Sequence, residues 1–270
     1  CLRCKPMQRK SRAPMQTYSA GEPLERMAID VMGELHLSKS RNKCVVVAMD
    51  YFTKFVFLLP LPNHKAKTIA EALVKEVFTK FGIPKFLHSD RGTDFMSNLF
   101  RETCNLFRID KTLTTPWRPQ SDGMVERMNR TLGAMLRQYT SENQDDWDEY
   151  LPYCALAYNS SYHSSTSYSP NFLMFGREFR VPLELVLPVP DEDLAMKTGE
   201  NSVDHVVRKM QIAMQLAYGV TRDKLQSSAV MQKHYYDRKA KPNQWTAGQS
   251  VWLYNPRRRK IGRASCRERV

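Results

Sequence analysis

Three carboxylates give the first clue to chemistry: Asp30 in ERMAIDVMGEL, Asp90 in HSDRGTDF and Glu126 in PWRPQSDGMVERMNRTL. Sixty positions separate the first two, and 35 residues lie between the second and the third. Acidic groups converging on one point repel each other and are costly to bury unless a divalent cation sits among them. Hard oxygen ligands suit Mg²⁺ or Mn²⁺, and a pair of such ions activates an attacking oxygen and steadies the leaving one in phosphodiester chemistry. The chain has 28 acidic residues, so one Asp–Glu interval means little. The words around the acids carry the signal.

Elements must bring those acids together. Apolar, alternating runs predict strands over about 25–34, 43–50 and 54–61, the first two joined as a hairpin-like meander. Residues 67–81 have helical spacing, with Ile69, Leu73 and Val77 inward, and stop at Gly82 and Pro84. A short strand over 85–88 delivers Asp90. A helix near 97–107 and a strand near 110–113 follow, then the loop 114–122. In the helix expected over 122–141, Val125, Met128, Leu132, Leu136 and Tyr139 form the buried stripe, and Glu126, Asn129, Arg130, Gly133 and Arg137 line the neighbouring face. That spacing puts Glu126 on the first turn, beside the ends of the strands carrying Asp30 and Asp90. Helices over 145–159 and 169–176 complete an α/β core. Helical period returns over 201–218 and resumes to about Tyr236, and Gly248–Tyr254 alternates like a strand.

Other chemistry-bearing residues have plainer readings. Alternation along Met27–Ile29–Val31 turns Asp30 to the opposite face of its strand. Asp50, in VAMDYF, is an acidic strand end expected to be structural. Asp94 reads as a loop cap, and Asp122 or Ser121 as the helix N-cap. His88 reads as a strand residue rather than a ligand, since such metals prefer oxygen. In the loop Thr114–Ser121, Trp117 and Arg118 could stack and steer a nucleotide, with Trp117 as a packing anchor the alternative.

The net charge of +13 is segregated. Residues 1–20 carry five basic and no acidic residues, 21–204 carry 21 basic against 25 acidic, and 205–260 carry 12 basic against two acidic. A near-neutral centre between basic arms fits flanks that grip phosphate backbones while the centre does chemistry. The six cysteines (1, 4, 44, 104, 154 and 266) show no disulfide framework, and Cys44, Cys104 and Cys154 read as reduced core residues of an intracellular protein. No apolar run approaches bilayer-spanning length. The final IGRASCRERV has no hydrophobic period and reads as the translation of a sequencing adapter, expected to pack against nothing.

Six strings in order, MAIDVMGEL, VVVAMDYFTKF, HSDRGTDF, TTPWRPQSDGMVERMNRTL, LAYNSSYHSSTSYSPNFLMFGRE and YYDRKAKPNQWTAGQSVWLYNP, resemble the catalytic region of retroelement integrases of the gypsy type. The resemblance implies a ribonuclease H-like α/β fold, a mixed sheet flanked by helices, followed by a helical segment and a truncated C-terminal β-barrel. It implies residues 1–20 as a zinc-domain remnant and basic linker, 21–185 as catalytic core, 186–240 as linker and helical segment, and 241–260 as the start of the barrel, leaving 261–270 as adapter read-through. Cys1 and Cys4 would be half of a zinc site whose two histidines lie upstream in that family, so zinc is expected only in the intact protein. Asp30, Asp90 and Glu126 would be the catalytic residues and hold two Mg²⁺ (or Mn²⁺) ions. Asn129, Arg130, Arg118, Gln120 and Ser121 would contact DNA, although many relatives have His where this chain has Arg118.

The activity implied is polynucleotidyl transfer: trimming of the element's DNA 3′ ends, then their joining to target DNA. The partners would be element ends, target DNA and further copies of the chain, acting in the nucleus after a cytoplasmic phase. The rival readings are a DNA-binding fragment without integration activity and a ribonuclease H-like nuclease.

Overall fold

The structure, a computed structural model, describes residues 20–114, 123–140, 144–180 and 203–238. The chain divides into two compact units, Tyr18–Ala229 and a second made of Cys1–Thr17 with Val230–Val270. The larger unit, Tyr18–Ala229, contains the whole β-sheet.

Strands β1 (Arg26–Met32), β2 (Cys44–Asp50) and β3 (Val56–Leu61) form the expected antiparallel meander. All seven residues of β2 are buried, because both faces of the sheet are covered. Val46 and Ala48 join Met27 and Ile29 in one core cluster, while Val45, Val47 and Met49 join Ala28 in the other. Period-two alternation is thus read out as two separate cores.

The chain then crosses over. Helix α1 (Ala66–Ala72) runs through a π-helical turn (Leu73–Phe78) into α2 (Thr79–Phe81). Ile69, Leu73 and Val77 are all buried, as the spacing predicts. Apolar residues four apart drift by about 40° per step on a 3.6-residue helix. The wider π turn takes up that drift and keeps the stripe facing the sheet. Gly82 ends the helix at φ 111°, a conformation that favours glycine.

Strand β4 (Phe86–Ser89) returns parallel to β1, and after α3 (Asn98–Leu106) strand β5 (Asp110–Leu113) pairs parallel to β4. Ser97 caps α3, its hydroxyl accepting from Phe100 N at 3.2 Å. The sheet order is β3-β2-β1-β4-β5, so β1 is paired on both edges. Helices α1 and α3 cover one face through Ile69, Leu73, Phe100 and Cys104. On the other face α4 (Gly123–Tyr139) and α5 (Trp147–Asn159) bury Val125, Met128, Leu132, Trp147 and Leu151. The mixed five-stranded sheet with helices on both faces has the expected ribonuclease H-like architecture.

Two expectations change. Tyr139 leaves the buried stripe of α4: it is 57% exposed and stacks on Tyr150, centroids 6.3 Å apart. Past the short α6 (Pro170–Phe175), the two helical runs of the sequence are one helix, α7 (Val203–Asp237), which passes straight through Gly219. It docks at one place. Ala217 is buried, Tyr218 donates to Leu173 O at 3.1 Å with its ring edge-on to Phe52, and Arg222 Nε donates to Gly21 O at 2.7 Å. Cys44, Cys104 and Cys154 are buried and free. Among the described residues no helix is long and apolar enough to cross a membrane. The barrel strand expected at 248–254 and the 261–270 tail lie outside the described residues.

Candidate active site

The pairing of β1 with β4 ends with Ile29 opposite Ser89. The next residues are Asp30 and Asp90, so both carboxylates stand just past the point where the two parallel strands, about 4.8 Å apart, stop pairing; Asp30 is still within β1 and paired with Val47 of β2. Alternation turns Asp30 to the same face as Ala28, the face that α4 covers. There Asn129 Nδ2 donates to Asp30 Oδ2 at 2.8 Å, while Val31 N donates to Oδ1 at 2.8 Å. On the β4 side Gly92 N donates to Asp90 Oδ1 at 2.9 Å, and a Cβ on residue 92 would stand 3.0 Å from that same oxygen. The glycine of DRGTDF is there to let the backbone close on the carboxylate.

Burial, and then the charges of Asp90 and Glu126, push the Asp30 carboxyl above its ordinary value, against the hydrogen bonds from Val31 and Asn129. The three acids of the sequence motif therefore share one electrostatic neighbourhood. They are not equally drawn in. Asp30 and Asp90 line a cleft of about 460 Å³, and Glu126, exposed on the first turn of α4, does not. Among the described residues no three acidic, histidine or cysteine side chains already close on one point. Two fixed carboxylates and a third on a flexible arm make a hard-oxygen donor set. A cation held there would relieve the repulsion that raises Asp30. Asn129 Oδ1, buried without a hydrogen-bond partner, is a further acceptor in the same place.

The remaining candidates separate by their contacts. Asp50 is fully buried, with Oδ1 accepting from Leu24 N at 3.1 Å and Oδ2 from Thr53 N and Oγ1 at 2.8 and 2.7 Å. It holds the β2–β3 turn. His88 is buried, its Nδ1 2.9 Å from Thr112 Oγ1. Asp94 does not cap the loop through its side chain; that carboxylate lies 3.8 Å from His64 Nε2 across the cleft. Asn129, expected to contact DNA, donates its amide Nδ2 to Asp30 Oδ2. Arg130 is exposed one turn beyond Glu126. Arg118, Gln120, Ser121, Trp117 and Asp122, and the cysteine pair Cys1 and Cys4, lie outside the described residues.

Lys43, Asn63 and His64 escaped the sequence reading although they line the same cleft. The available signal was the polar word Asn63-His64-Lys65 set between a strand end and a helix start, next to no recognisable motif.

Residues 20–119 match the family described as the integrase core domain. Over that stretch the chain is similar to an integrase core domain. The Pol polyprotein of transposon 412 from Drosophila melanogaster is 27% identical over 244 residues, 88% of this chain but 19% of that polyprotein. The Pro-Pol polyprotein of simian foamy virus type 1 is 35% identical over 154 residues, 57% of this chain and 13% of that one. Gypsy retrotransposon integrase-like protein 1 of Mus musculus is 26% identical over 258 residues, 95% of this chain and 47% of the mouse protein. The chain thus spans less than half the length of each of these relatives. A chain of the simian T-cell lymphotropic virus intasome, solved with the PP2A regulatory subunit B56 gamma, shares the fold at a TM-score of 0.55. That match has 21% identity and covers 75% of this chain and 69% of the other.

Proposed function

We propose that this chain is the catalytic segment of a retroelement DNA integrase, a metal-dependent polynucleotidyl transferase. Its reactions are the trimming of the element's DNA 3′ ends by water and the attack of the freed 3′-hydroxyls on target phosphodiesters. The observation that carries the reading is the placement of Asp30 and Asp90 side by side just beyond the paired stretch of two adjacent parallel strands, with the charge of Glu126 reaching Asp30.

Asp30, Asp90 and Glu126 would hold two Mg²⁺ or Mn²⁺ ions. When bound, such ions supply Lewis-acid activation of the attacking oxygen and charge stabilisation at the leaving one. The chain's own part is positional. Val31 N and Asn129 fix the two oxygens of Asp30, Gly92 N fixes one oxygen of Asp90, and Glu126, exposed on the first turn of α4, would be the third ligand. Arg130 would take a DNA phosphate beside Glu126, as would Arg118, Gln120 and Ser121 from their loop. The basic flanks, rich in Lys and Arg over 205–260, would add sequence-independent grip.

The wider organisation is proposed on the same footing: a core within 21–185, a helical segment to about 240, and 241–260 opening a β-barrel. Two DNA ends must be handled together, so a multimer working in the nucleus follows from the reaction.

The test is strand transfer. The chain is incubated with a duplex carrying element-end sequence and a target plasmid, with Mg²⁺ or with EDTA. Metal-dependent joined product supports the reading. Cleavage without joining would favour a simple nuclease, and DNA binding without either would favour a non-catalytic fragment.

A further inference from the structure

The cleft beside Asp30 and Asp90 extends well beyond the two carboxylates. Its volume of about 460 Å³ lies in the range of pockets that take a small organic ligand. One wall is apolar, from Val31, Cys44, Pro62 and Phe95; Lys43 brings positive charge and His64 an imidazole N–H that can donate to an anion. Glu34 and Asp94 add negative charge to that of Asp30 and Asp90. A nucleic-acid strand entering this space would be repelled by the four carboxylates and could be held by Lys43 and His64.

His64 is held in place for such a contact. Asn63 Oδ1 accepts from Lys65 N at 3.1 Å and from Thr68 Oγ1 at 2.9 Å, which ties down the turn from β3 into α1 on either side of the histidine. The imidazole is 60% exposed, and its Nε2 lies 3.8 Å from Asp94 Oδ2, a separation long enough for an incoming anion to compete. Glu126 and Arg130 belong to α4 and not to this cleft. A strand with its reacting phosphate at Asp30 and Asp90 would therefore meet Lys43 and His64 within this cleft and Arg130 outside it.

The geometry points to this cleft as the seat of the nucleotide next to the reacting phosphate. Its phosphate lies against His64 and Lys43, and its sugar and base against the apolar wall. This rests on the reading that DNA is cut or joined at Asp30 and Asp90, and it adds a binding subsite to that reading. Asp94 then works against binding by holding His64 back.

The experiment measures binding of a fluorescent DNA duplex with a recessed end by anisotropy across a salt series, and Mg²⁺-dependent cleavage in parallel. The full chain is compared with His64→Gln, His64→Lys, Lys43→Gln/His64→Gln and Asp94→Asn. Replacing both Lys43 and His64 should weaken binding by about tenfold, flatten the slope of log K against log salt by about 1, and raise KM rather than lower kcat. His64→Lys should restore binding that His64→Gln loses, and Asp94→Asn should tighten it by about 2–5-fold. All these side chains except Asp94 are mostly exposed, and unchanged melting temperatures check the fold.

Wild-type slope and KM in the double variant would overturn the inference, as would weaker binding by Asp94→Asn. If the wild type binds with these effects but never cleaves, the integrase reading fails and the subsite stands. If it cleaves while the variants match it, only the subsite fails. No DNA binding by the wild type sinks both.

Discussion

Asn129 Nδ2 donates to Asp30 Oδ2 across 2.8 Å, joining helix α4 to the end of strand β1. With Val31 N on the other oxygen, the Asp30 carboxylate cannot turn about its own bond without breaking a hydrogen bond. Residues that orient a metal-holding carboxylate typically matter about 10–100-fold in affinity or activity. Asn129→Ala should accordingly lower strand cleavage by about that factor and raise the Mg²⁺ concentration needed for half-maximal rate. If the Mg²⁺ requirement stays at the wild-type value, Asn129 does not act through Asp30.

Glu126→Gln removes a negative charge from an exposed helix position and should fold with a melting temperature within about 1–2 °C of wild type. It should still bind DNA and lose most Mg²⁺-dependent cleavage and joining. Asp50→Asn is the opposite case. The carboxylate accepts from three donors in a buried turn, so an amide leaves at least one contact wrong and costs about 1–3 kcal/mol. The folded fraction should remain active. A dead but folded Asp50→Asn, or a fully active Glu126→Gln, would reverse the assignment of the two acids.

The raised Asp30 carboxyl also has a sign for stability. Its folded value lies above the unfolded one, so the native state binds the extra proton between them and loses stability as pH rises through that window. At neutral pH in EDTA the charged Asp30 is a liability that a bound cation offsets. Mg²⁺ should therefore raise the melting temperature at pH 7.5 more than at pH 4. Asp30→Asn should melt higher than wild type in EDTA and gain nothing from Mg²⁺. An equal gain from Mg²⁺ in both proteins would place the cation elsewhere.

His163 titrates the other way. Burial, then the charges of Lys54 and Arg127, lower it to about 4. The unfolded chain then binds the proton first, so stability is fully present above about 6.5 and is lost as pH falls toward about 4. Chemical denaturation across pH 4–7 should show this slope, and His163→Gln should flatten it. A slope unchanged by that substitution would assign the loss to other groups.

Removing residues 205–260 would be a poor test of the basic flank, because it also strips Ala217, Tyr218 and Arg222 from the core. Neutralising Arg208, Lys209, Lys224 and Lys233 to Gln leaves those contacts in place. If they touch DNA, the salt slope of binding should fall by up to about 0.9 per lost phosphate contact. An unaltered slope would move the binding surface to the remaining described residues.

Local patterns were legible where one element decides its own burial. The stripe Ile69–Leu73–Val77 and the run Val45–Met49 fall where their periods put them. Tyr139 was misread because an apolar residue at the end of a helix is buried only if a neighbour reaches that far, and α5 offers it only the half-buried ring of Tyr150. That β4 lies beside β1 could not be read from spacing, since such pairing depends on the crossover and not on either strand. The role of Asn129 was hidden for the same reason: its acceptor sits 99 positions upstream, and helical geometry alone presents it to solvent. His64 went unnoticed because a loop histidine carries no period, and its meaning comes from a cavity built by four separate segments.

The pairing of β1 on both edges sets an order in time. The meander β1–β2–β3 is complete once Leu61 has left the ribosome, yet at that stage Asp30 stands alone. Asp90 joins it only after the α1–α2 crossover has folded and β4 has found β1, a non-local contact that forms slowly compared with a hairpin. Glu126 arrives later still, with α4. A nascent or partly folded chain therefore cannot gather the three carboxylates, and the activity proposed above would be absent until the last of these segments docks.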